Sequence, residues 1–65
     1  MKNYTVIIRN YHNHETREIE DSEKDVQLVH KLALKQTKFE EDIYEMYNKD
    51  NDKALAYHLQ KGWKE

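Results

Sequence analysis

The chain has no cysteine and no proline, one glycine at Gly62 and one serine at Ser22. Without thiols there is no disulfide framework and no thiolate metal site, so packing must hold the fold and a reducing cytosol is the expected compartment. Without a glycine-rich loop there is no phosphate cradle of the nucleotide-binding type. Long apolar runs are missing too. Val6 to Ile8 and Leu32 to Leu34 fall far short of the ~18 residues that span a bilayer, and Met1-Lys2-Asn3 does not open a signal peptide. A soluble, cytoplasmic protein without membrane contact is expected.

At 65 residues there is room for one domain, and a chain of that size buries only about 60% of its unfolded surface. Charged residues make up 37% of the chain, but five Tyr, one Trp, one Phe and a net charge of -2 argue against disorder. The charge balance also argues against a surface that binds nucleic acid throughout. Charge is arranged in blocks: Glu15 to Asp25 is net -4, Val26 to Lys38 net +3, Phe39 to Asp52 net -5 and Lys53 to Glu65 net +2. There is no internal repeat.

Tyr4, Val6 and Ile8 alternate with Thr5, Ile7 and Arg9, the period-two pattern of a strand with one buried face. A partner strand at Glu15 to Glu20 would pair Val6 with Ile19 and Ile8 with Arg17, leaving Tyr11 to His14 as the loop. From Val26 onward the spacing reads as helical. Val26, Val29 and Ala33 form one row and Leu28 and Leu32 another, preceded by Asp21 or Ser22 as N-cap. Phe39, Ile43, Met46 and Tyr47 continue that period with Glu40, Glu41, Asp42 and Glu45 on the wet side. Leu55 and Leu59 carry it into a last segment capped by Asn51 or Asp52 and closed by Gly62. The expected fold is α+β: a two-stranded antiparallel hairpin over 3–20 followed by helices over about 22–38, 39–48 and 52–61.

Candidate chemistry is sparse. His12 and His14, alternating on a strand, could share a face as two metal ligands, with Glu15, His30 or His58 completing a site. A polar hairpin tip explains them more simply. Ser22 suits a helix cap, so no catalytic residue is nominated and no cofactor is expected. The remaining signal is amphipathic aromatics beside acids. Glu41, Tyr44, Glu45, Tyr47 and Asp50 would give a negative, tyrosine-bearing contact surface, suited to steering and gripping a basic protein partner. The alternative is a lysine row, Lys31, Lys35 and Lys38, that would touch phosphates as a nucleic-acid-binding accessory protein. A homodimer through the hairpin edges is compatible with either reading.

Thr16-Arg17-Glu18-Ile19, then five residues, then Asp25-Val26-Gln27, resembles the strand-to-helix junction of the T-even phage antitoxins called discriminator of mRNA degradation. These are small proteins with a hairpin and a helix that inhibit a host RNA-cleaving toxin. The resemblance covers under a fifth of the chain; the helical segment expected beyond Gln27 does not follow the family, and the expected C-terminal helix stands where the family should have a further strand. It implies a small phage-encoded inhibitor acting in the host cytosol. Together these readings give a non-enzymatic binding protein that blocks a host protein at a basic or nucleic-acid-facing surface.

Overall fold

The computed structural model describes residues 1–64. Four antiparallel strands form the main sheet: β1 (Lys2–Asn10), β2 (Thr16–Glu23), β3 (Glu41–Asn48) and the short β4 (Lys53–Ala54), in the order β2-β1-β3-β4. One helix, α1 (Val26–Gln36), connects β2 to β3 across the sheet, and a second two-stranded sheet, β5 (Ala56–His58) with β6 (Gly62–Lys64), ends the described chain. The expected hairpin with two or three helices is therefore corrected to a mostly β fold with a single helix.

The β1–β2 hairpin has the register that the alternation implies, Val6 opposite Ile19 and Ile8 opposite Arg17. β2 continues to Glu23, three residues beyond the expected end. That extension removes Asp21 and Ser22 from any capping role. Asp25 caps α1 instead, its Oδ1 accepting the N–H groups of Gln27 at 2.9 Å and Leu28 at 3.1 Å, two donors the first turn otherwise leaves unpaired. The helix ends at Gln36 rather than 38, with Thr37 as C-cap.

The segment over 39–48 is a strand, and its helical look has a physical origin. β3 pairs with β1 through Ile7 opposite Glu45 and Ile8 opposite Ile43, so Tyr44 is an extra residue in a β-bulge. The bulge stretches the spacing between Ile43 and Met46, which both face the core, from two residues to three. A strand then shows the i, i+3 step of a helix. The segment over 52–61 is also not helical. Leu55 is buried where β4 gives way to β5, while Leu59 is 91% exposed at the tip of the β5–β6 hairpin. Gly62 does take a left-handed backbone, φ +79°, but at the start of β6. Asp52, expected to cap a helix, turns the chain between β3 and β4 with φ +52°.

The core lies between the sheet and α1. Tyr4, Val6 and Ile8 of β1 and Met46 of β3 are fully buried against Val26, Val29 and Ala33 of the helix, and Leu55 and Trp63 close the end. Arg17 ties the layers together. Its Nε and Nη2 donate to the Glu41 carboxylate at 2.9 and 3.0 Å, and Nη2 also donates to the Gln36 carbonyl at 2.8 Å. One side chain of β2 thereby fixes the start of β3 and an orphan carbonyl at the end of α1.

Candidate functional site

Strand alternation sends Tyr4, Val6 and Ile8 toward α1, so Thr5, Ile7 and Arg9 face the other way. Among the described residues no element covers that side. The register surrounds these three with Glu20, Glu18 and Thr16 on β2, and with Tyr47, Glu45 and Asp42 on β3. The result is a plate with Ile7 and Thr5 at its centre and carboxylates on both flanks. A shallow depression of about 340 Å³ is lined by Thr5, Ile7, Glu18, Tyr47, Lys49 and Asp52. Lys49 reaches Glu20 at 2.8 Å, and the Tyr47 hydroxyl donates to the Glu45 carboxylate. That hydrogen bond, reinforced by burial, raises the Tyr47 pKa above the usual tyrosine value, so the phenol keeps its proton and remains a donor.

The structure brings together only part of the expected contact set. Glu45 and Tyr47 lie side by side on the open face. Tyr44, pushed out by the bulge, sits at the edge of β3 under the Arg9 guanidinium, 5.1 Å from its ring centre. Glu41 belongs to the helix side, where Arg17 and the Lys38 N–H hold its carboxylate and bring its pKa down to about 2. Its charge is spent within the fold. Asp50 lies in the turn after β3, accepting from the backbone and side-chain nitrogens of Asn3. Glu18, Glu20 and Ile7 were not anticipated as one surface with Glu45 and Tyr47. Their cross-strand register was available from the hairpin, but the third strand that completes the plate was not.

The other expectations fall elsewhere. Lys31 and Lys35 are exposed on α1, whereas Lys38 lies beyond its C-terminus, so the three do not continue one helical row. His12 and His14 lie in the loop between β1 and β2 rather than on a strand. His12 Nε2 stands 3.3 Å from Glu40, and His14 Nδ1 lies 2.6 Å from the Arg9 guanidinium. Among the described residues no three His, Asp or Glu side chains gather to hold a metal ion. Ser22 donates its hydroxyl to the Asn3 side chain. Among the described residues no helix is long and apolar enough to cross a membrane. The open face thus sets carboxylates around an apolar centre. No family model matches the chain, and neither the curated proteins nor the solved structures contain a match.

Proposed function

We propose that this is a small non-enzymatic inhibitor or modulator that engages a basic partner protein through the open face of its main sheet. The observation that carries this reading is the plate itself, an uncovered sheet face with Ile7 and Thr5 framed by Glu18, Glu20, Glu45 and Tyr47. An apolar centre inside a polar rim is the anatomy of a protein-binding patch. The surrounding carboxylates would steer a basic surface toward it and disfavour phosphate.

A phage-encoded inhibitor of a host protein that handles nucleic acid fits this surface. The resemblance to the phage antitoxins supports that form of the reading.

The test is capture of a partner from host lysate by tagged protein at low and moderate salt, followed by reconstitution with the purified partner. Glu18→Lys with Glu45→Lys should weaken that binding by about tenfold or more, mainly by slowing association. Glu41 is not used here, because its reversal would break the Arg17 contact. Affinity unchanged by the double reversal would overturn the acidic-face reading. Recovery of nucleic acid, lost on changing Lys31 and Lys35 to glutamine, would favour the lysines of α1 instead.

A further inference from the structure

A second concave site lies at the β3 edge of the main sheet and meets the plate at Asp42. His30 and Leu34 of α1, Asp42 and Tyr44 of β3, and Tyr57 and Trp63 of the β5–β6 hairpin line a groove of about 410 Å³. Its rings form a continuous wall: Tyr57 and Trp63 are 5.4 Å apart between centroids, and His30 meets them edge-on at 5.8 and 6.1 Å. The groove runs beside a stretch of β3 that no strand pairs with among the described residues, where the Lys38 carbonyl accepts the Glu41 N–H and Asp42 Oδ1 accepts the Ile43 N–H. β4 pairs with β3 only at Tyr47 and Asn48, and Leu55 adds one bond to the Met46 carbonyl. From Glu45 back to Glu41 no strand lies on that side.

On the neighbouring side, Tyr44, Asp42 and Ile43 also line a smaller groove, and there Arg9 lies over the Tyr44 ring. The larger groove shares those three residues and adds two more aromatic rings, yet no lysine or arginine lines it. Asp42 Oδ1 accepts the Ile43 N–H at 2.8 Å, which leaves its second carboxylate oxygen to meet another donor. Burial holds the His30 pKa below its ordinary value despite the opposing pull of Asp42, so the imidazole adds no positive charge at neutral pH.

We propose that this groove receives an arginine side chain of the basic partner. The guanidinium stacks among Tyr44 and Tyr57 and faces the Asp42 carboxylate. Arginine suits the site better than lysine because its plane matches both ring faces and a carboxylate. A second copy of this chain is a poorer source of that arginine. The two arginines, Arg9 and Arg17, are already engaged by Tyr44 and Glu41. The inference rests on the reading that the partner is basic, and it adds where one anchor of that partner sits.

The test uses the full chain and a blocked peptide of sequence Thr-Val-Arg-Val-Thr, followed by ¹H–¹⁵N spectra and by the emission of Trp63, the only tryptophan. The expected result is saturable shifts at Ile43, Tyr57 and the Trp63 indole. Affinity should fall about tenfold when citrulline, which has the same shape without the charge, replaces arginine. Asp42→Asn, which keeps the acceptor for the Ile43 N–H, should weaken binding similarly, and Tyr57→Ala should do so by removing a wall. Equal binding of the citrulline peptide, or an Asp42→Asn variant that binds as the parent does, would overturn the proposal. So would shifts confined to Ile7, Glu18 and Glu45, although that result would sustain the open-face reading. A silent spectrum at millimolar peptide would also count against it.

Discussion

Glu41 shows how one side chain changes role once its neighbours are known. Its carboxylate accepts from Arg17 and from the Lys38 N–H, and these bonds favour the ionised form so strongly that its pKa falls from 4.5 to about 2. A depressed carboxyl pKa contributes stability that is present above the unfolded value and is lost as pH falls through the folded one. The window therefore runs from about pH 4.5 down to about pH 2. Glu41→Gln, which cannot ionise, should be less stable than the parent at pH 7 and should lose less on acidification across that window. Urea midpoints by circular dichroism at pH 7, 4 and 2.5 measure both effects. If the variant and parent have parallel pH dependences, the Arg17–Glu41 contact is not a stabilising element. Tyr47 is a milder case of the same principle, with the Glu45 carboxylate favouring the protonated phenol.

Among the elements, the β5–β6 hairpin depends on one backbone position. Gly62 has φ +79°, and a Cβ built there would lie 2.0 Å from Gln27 Oε1. Gln27 also donates its Nε2 to the Trp63 carbonyl at 2.6 Å, so displacing it loosens the tie between α1 and β6. Gly62→Ala should cost more than about 1 kcal/mol, combining a left-handed backbone with the lost contact. Trp63 emission should shift to the red as the hairpin detaches. Unchanged emission and an unchanged urea midpoint would show that the hairpin tolerates a side chain there. How legible each element was follows from its local pattern. β1 and β2 alternate without interruption, and their register could be read directly from Val6, Ile8 and Ile19. The helix was also legible, since Val26, Val29 and Ala33 do form its buried row. β3 was not, because the bulge at Tyr44 placed Ile43 and Met46 three residues apart and so imitated a helical step. In the last segment, Leu55 and Leu59 are spaced like neighbours on a helix, yet one is core and the other an exposed hairpin tip. With β3 read as a helix, only Glu45 and Tyr47 of the open face could be anticipated.

In the molecule as a whole, the main sheet leaves the outer edge of β2 without a pairing strand among the described residues. β1 lies inside the sheet, covered by β2 on one side and β3 on the other, so only the β2 edge of the hairpin remains for pairing with another copy. An antiparallel pair of β2 strands related by a two-fold axis at Ile19 would set Glu18 of one copy opposite Glu20 of the other. Like charges directly opposite each other destabilise such a pairing, and charged edge strands are a common means of resisting it. The same axis would oppose Arg17 to Asp21, but Arg17 is already held by Glu41. Glu18 and Glu20 thus serve two ends, forming one flank of the open face and guarding the edge beside it. Replacing Glu18, Glu20 and Glu23 with glutamine removes the charge while keeping side-chain length and shape. The expected outcome is a concentration-dependent dimer in sedimentation velocity under conditions where the parent sediments as a smaller species, together with weaker binding of the proposed basic partner. A triple variant that sediments as the parent does up to millimolar concentration would show that strand length or twist, rather than charge, governs the edge. In that case Glu18 and Glu20 would be explained by partner binding alone.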